Sequence, residues 1–155
     1  MAKYYISAVP KLPASLEHHE KTGKHITLAY LGELSASEVH RLSAHLGLIK
    51  FKPLNTVVKG FANWKAGASY YSVALVDEYP LRKLREDLCD KIAEAGLSYD
   101  DRFSFVPHIT LRVKAEPFRQ DEVPTIGHEL PLNIDTLYLS HKENHLAVAE
   151  SDHLA

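Results

Sequence analysis

The chain has 155 residues, 45% of them hydrophobic and 25% charged, and its 18 basic and 20 acidic residues leave a net charge of −2. That length can bury a real core as one domain over residues 1–155, and the charge gives no global field for gripping a long duplex. No apolar run approaches the ~20 residues of a membrane span, no secretion signal opens the chain, and the single cysteine can neither cross-link internally nor build a thiolate metal site. A cytoplasmic monomer with no membrane partner is the expectation.

Residues 3–9 are aromatic and β-branched and stop at Pro10, which predicts a strand. Residues 10–24 read as loop with room for one helical turn. A strand over 25–31 is predicted to end at Gly32. Ser35 and Glu38 have capping-box spacing, and Val39, Leu42, Leu46 and Ile49 recur at helical intervals, so an amphipathic helix of about fifteen residues is predicted before Pro53. Two strands follow, 54–64 and 69–76, joined through Gly67; Tyr71, Val73 and Leu75 share one face of the second. Asp77 and Pro80 open a second helix with Leu81, Leu84, Leu88, Ile92 and Ala95 on its buried stripe, and Gly96 is its left-handed stop. Cys89 lies beside that stripe and reads as a small core residue. A strand over 103–113, a polar loop, and a final pair of strands at 130–140 and 145–150 complete the chain.

The same four residues, His-Ile-Thr-Leu, occupy positions 25–28 and 108–111, each in a predicted strand. Residues i and i+2 of a strand point the same way, so His25 and Thr27 share a face, as do His108 and Thr110, while Ile26, Leu28, Ile109 and Leu111 point into a core. With six threonines and ten histidines in the chain, a single His-x-Thr could be accidental, at roughly 0.4 pairs expected by chance. Two copies sharing all four residues are much harder to dismiss. The repeat predicts two related lobes whose pseudo-twofold brings the pairs together. Two imidazoles, titrating near neutrality, can then act as base and acid on a phosphodiester, while the threonine hydroxyls hold its non-bridging oxygens. By strand parity Arg112 extends the face of His108 and Thr110 as a cation for phosphate; the matching position in the first half is Ala29.

Zinc sites want three or four ligands, threonine is a poor one, and no carboxylate recurs beside either pair. His18, His19 and Glu20 offer only a loop cluster. His40, His45, His128, His141, His145 and His153 read as solvated surface residues. The chain has no G-x-S-x-G elbow and no glycine-rich phosphate loop, so metal-free acid–base chemistry with no cofactor is the reading.

Residues 22–32 (TGKHITLAYLG) resemble the first motif of the two-histidine phosphoesterase superfamily, and residues 105–112 (FVPHITLR) resemble its second. That superfamily includes bacterial 2′-5′ RNA ligase-like proteins and cyclic nucleotide phosphodiesterases. The resemblance implies an α+β fold that is bilobed, with two antiparallel sheet lobes around a central groove and helices outside. It implies His25 and His108 as the acid–base pair, Thr27 and Thr110 as phosphate holders, and metal-independent phosphodiester cleavage or, in some members, 2′-5′ ligation. Compared with many members, the stretch before the first motif is short, which trims the groove wall and bears on substrate size.

Tyr4, Tyr5, Trp64, Tyr70 and Tyr71 are candidates to stack a base, although only one of each adjacent tyrosine pair can face the groove; Tyr5, Tyr71 and Trp64 are the candidates carried forward. The expected substrate is a small nucleotide or RNA end carrying a 2′,3′-cyclic phosphate. The alternatives are an enzyme that degrades cyclic or 2′-5′ oligonucleotide signals, as some phage members do, a 2′-5′ RNA ligase, and a nucleotide-binding module without activity.

Overall fold

The computed structural model of the protein describes residues 2–12, 24–102, 104–122, 129–142 and 144–151. Among these, eight strands form one sheet: β1 (Ala2–Ala8), β2 (Ile26–Leu34), β3 (Leu54–Ala66), β4 (Ser69–Val76), β5 (His108–Lys114), β6 (Leu130–Ile134), β7 (Thr136–His141) and β8 (Asn144–Glu150). The helices are α1 (Ala36–Leu46) and α2 (Arg82–Glu94), the second entered through a 3₁₀ turn at Tyr79–Leu81. The fold is α+β.

The strands lie in the order β6-β3-β4-β5-β2-β1-β7-β8, and every neighbouring pair is antiparallel. Outward from the centre each half repeats one pattern. A motif strand (β5 or β2) is followed by its partner (β4 or β1), a third strand (β3 or β7) and an edge (β6 or β8). The expected lobes are thus two four-stranded halves of a single sheet. Their seam rests on one register pair, Ile26 with Ile109. Both isoleucines are fully buried in the core, together with Leu28 and Leu111. Burying each such side chain contributes about 1.5–3 kcal/mol. α1 packs on α2 and β8, and α2 packs on β2, so both helices stand behind the sheet.

Several boundaries differ from the sequence reading. The strand expected over 130–140 divides at Asp135, where the chain crosses from one half of the sheet to the other: β6 pairs with β3 and β7 with β1. The Ser151 amide donates to the freed Asp135 carbonyl at 2.7 Å. β5 begins at His108 instead of 103, because Pro107 has no N–H to give a ladder. β2 runs past Gly32, which takes φ +73° inside the strand and does not end it. α1 stops at Leu46, short of Ile49, which is buried all the same. The capping box is present, with the Ser35 amide donating to Glu38 Oε1 at 2.9 Å and the Glu38 amide to Ser35 Oγ at 3.3 Å. Gly96 takes φ +77° just past α2, as expected of a left-handed stop. The loop cluster His18, His19 and Glu20, and Thr22 and Gly23 of the first motif, lie outside the described residues. No described helix is long and apolar enough to cross a membrane.

Candidate active site

The seam pair fixes what stands across it. Counting outward from Ile26 opposite Ile109, Thr27 falls opposite His108 and His25 opposite Thr110, on the face turned away from the core. That register predicts a square of four polar residues, with the two histidines on a diagonal. Diagonal neighbours of an antiparallel pair lie about 7–8 Å apart, room for one phosphate between two imidazoles. Thr27 and His108 line a cavity of about 590 Å³, and His25 and Thr110 are not among its lining residues.

A second feature repeats in both halves. On β2, Ser7 faces Thr27 but Ile6 faces Ala29, so Leu28 is an extra residue. On β5, Val73 faces Thr110 but Ser72 faces Arg112, so Leu111 is extra. Each motif carries a β-bulge at its leucine, immediately after its threonine. A bulge bends the strand and leaves the extra residue out of the ladder. At Leu28 the carbonyl so released accepts from Arg85 Nε at 3.1 Å, and that guanidinium lies 4.5 Å from the Phe105 ring centroid.

The bulge also interrupts the alternation on which the expectation for Arg112 rests. Arg112 is paired with Ser72, and its guanidinium meets Glu122 at 3.3 Å and the Phe118 ring at 5.5 Å. It is not among the residues lining the cavity beside His108.

Each candidate histidine has a distinct setting. Nδ1 of His108 lies 2.9 Å from the Val106 carbonyl oxygen. A carbonyl can only accept, so Nδ1 carries the proton and Nε2 is the nitrogen left to exchange one. The edge of Trp64 packs on this ring, with centroids 4.6 Å apart. His25 instead stacks on Tyr5 at 5.1 Å, with 28° between the planes. Tyr5 donates its hydroxyl to the Lys142 carbonyl at 3.3 Å, and burial pushes its phenol above the ordinary range. Tyr5 and Trp64 thus each cover one histidine; Trp64 lines the 590 Å³ cavity and Tyr5 a larger one of about 1100 Å³, whereas Tyr71, paired with Trp64 and Val113, lines neither. Of the adjacent tyrosines, Tyr5 takes the groove face and Tyr4 packs against the core and His141.

Sequence reasoning missed several neighbours. Tyr30 and Asp100 line both the 590 Å³ cavity and the larger one of about 1100 Å³ beyond it. Asp100 is forked by Arg102 at 3.0 and 2.7 Å, which holds its carboxyl at about 2, so it stays ionised and is no proton donor near neutrality. Ser7 and Ser140 are fully buried beneath the His25 side. No motif flags these residues; only the register brings them in. Among the described residues, no three histidine, cysteine or carboxylate side chains group as metal ligands.

The chain is similar to proteins of known name. Thermotoga maritima RNA 2′,3′-cyclic phosphodiesterase is 31% identical over 104 residues, 64% of this chain and 54% of the other, so the chain spans about half the length of that relative. A solved phosphoesterase superposes with a TM-score of 0.66 at 21% identity, covering 96% of this chain and 99% of that one. Escherichia coli LigT complexed with 3′-AMP superposes with a TM-score of 0.59 at 19% identity, covering 95% and 98%. These two likenesses concern the fold. The family model of the 2′-5′ RNA ligase superfamily matches residues 13–145, a span that contains both His-Ile-Thr-Leu strands, and the chain belongs to that superfamily.

Proposed function

We propose that the protein is a phosphodiesterase that opens 2′,3′-cyclic phosphates of nucleotides or RNA ends, with His25 and His108 as its proton-transfer pair. The observation that carries this reading is the pairing of the two motif strands at Ile26 and Ile109, a register that, extended by one residue each way, brings two histidines and two threonines together. One imidazole takes a proton from water as the water oxygen bonds to phosphorus. The other, protonated at the start, gives its proton to the ribose oxygen as the ring P–O bond breaks. The product is a 2′- or 3′-phosphomonoester, and the two imidazoles have exchanged protonation states. Thr27 and Thr110 donate to the non-bridging oxygens and stabilise the charge that gathers there. Trp64 and Tyr5, packed against the two histidines, are the aromatic rings nearest a base beside the phosphate.

The named activity of the T. maritima relative supports this substrate class, as does LigT solved with 3′-AMP, a monoester of the kind ring opening yields. The strained five-membered ring asks only for an activated water and a protonated leaving oxygen, which matches the groups present.

The test is a panel of substrates supplied at equal concentration in EDTA and read by chromatography: a nucleoside 2′,3′-cyclic phosphate, a 2′-5′ dinucleotide and a cyclic dinucleotide. The expected result is fastest cleavage of the 2′,3′-cyclic phosphate, unchanged by chelator. Cleavage of the cyclic dinucleotide at least tenfold faster in kcat/KM, ~1.4 kcal/mol in transition-state stabilisation, would replace this substrate with a signalling one. A rate abolished by EDTA and restored by one divalent ion would overturn the metal-free chemistry.

A further inference from the structure

His145, at the start of β8, belongs to neither motif, and its sequence context reads as solvated surface. The structure gives it a fixed place. Its Nδ1 lies 2.7 Å from Ser140 Oγ, and Ser140 Oγ lies 3.4 Å from Ser7 Oγ. Both serines are fully buried, and Ser7 stands directly opposite Thr27 in the β1–β2 register. His145, Ser140 and Tyr5 form one row across β8, β7 and β1, and Tyr5 carries the His25 ring. The His145 ring centroid is 6.4 Å from that of His25 and 6.3 Å from that of Tyr138. A buried hydroxyl pair thus holds an exposed imidazole beside one histidine of the square, while His108 has Trp64 beside it instead.

The position limits what His145 can touch. The scissile phosphate, centred on the square, already has its non-bridging oxygens on Thr27 and Thr110 and its proton transfers on His25 and His108. A fifth group on the outer side of His25 meets a different part of the substrate. If Ser140 donates to Nδ1, the His145 proton sits on Nε2, on the far side of the ring, and makes that nitrogen a donor. The acceptor that every nucleotide chain can supply at that distance is its next phosphate.

We propose that His145, oriented by Ser140 and Ser7, donates to a second phosphate of the substrate and makes the enzyme prefer cyclic phosphates that carry one. The inference rests on the cyclic-phosphate reading above and goes beyond it in assigning a specificity residue. A charge-assisted hydrogen bond of this kind is stronger than a neutral one and acts on binding more than on the chemical step.

The experiment compares a nucleoside 2′,3′-cyclic phosphate with the same molecule bearing a 5′-phosphate, using the full chain and its His145→Ala, His145→Gln and Ser140→Ala variants. The unsubstituted protein is expected to favour the 5′-phosphorylated substrate about tenfold in kcat/KM, chiefly through KM. His145→Ala should remove that preference and change the other substrate less than about twofold, His145→Gln should keep part of it, and Ser140→Ala should weaken it. Equal loss on both substrates in His145→Ala would make the residue merely structural, and no preference in the unsubstituted protein would also overturn the proposal while the cyclic-phosphate reading stands. Failure of the unsubstituted protein to cleave either substrate would defeat that reading, and this inference with it.

Discussion

Glu122 shows how much of the electrostatics near the site serves structure. Its carboxylate meets Lys114 Nζ at 2.8 Å from both oxygens, accepts from the Arg119 amide at 2.9 Å and touches Arg112 at 3.3 Å. These partners, the Lys114 bond foremost, hold its carboxyl at about 2, below the ~4.3 of a free glutamate. A depressed carboxylate adds stability that is fully present above the unfolded pKa and disappears as pH falls through the folded one. The window therefore runs downward from about pH 4.3 to about pH 2. Glu122→Gln should lower the melting temperature at pH 6, and the gap from the unsubstituted protein should narrow by pH 3. Thermal melts at the two values check this; a gap that stays constant would mean the ion cluster is not the source. The arginine in this cluster is the one that parity had assigned to phosphate, and the reason lies one residue earlier, at the Leu111 bulge.

At the scale of elements, the motif strands depend on a narrow join. A single register pair links the halves, and Ile26 and Ile109, which form it, are fully buried. Ile109→Ala should cost about 2–5 kcal/mol, the range for removing a buried aliphatic side chain. The same change should depress kcat even at temperatures where the variant is fully folded, because the seam sets the spacing of the two histidines. Denaturant melts paired with kinetics test this, and a destabilised variant with full turnover would show that the seam is packing alone. That both motifs lie on strands was legible in the sequence, since alternation needs only a period of two. The helix cap at Ser35 and the stop at Gly96 were legible for the same local reason. What could not be read were events that need a partner strand. At Asp135 the apolar phase shifts from Leu130, Leu132 and Ile134 to Leu137 and Leu139, but that the chain changes halves of the sheet there shows only in the pairing; likewise the bulges at Leu28 and Leu111 are defined only against β1 and β4, and His145 meets Ser140 only across a hairpin.

At the scale of the whole molecule, symmetry and its breaking divide the labour. Both halves supply a His-x-Thr strand with a bulge in the same place, and the proposed mechanism uses one imidazole of each. They differ in what covers each histidine, Tyr5 and His145 on one side and Trp64 on the other. If the two halves act as a unit, removing one histidine should be nearly as damaging as removing both. The most direct test measures turnover of a nucleoside 2′,3′-cyclic phosphate by His25→Ala, His108→Ala and the double variant, with folding checked by thermal melts. The expected result is a loss of roughly 10²–10⁴-fold in each single variant and little further loss in the double. Full activity in either single variant would remove that histidine from the mechanism and contradict the two-imidazole site.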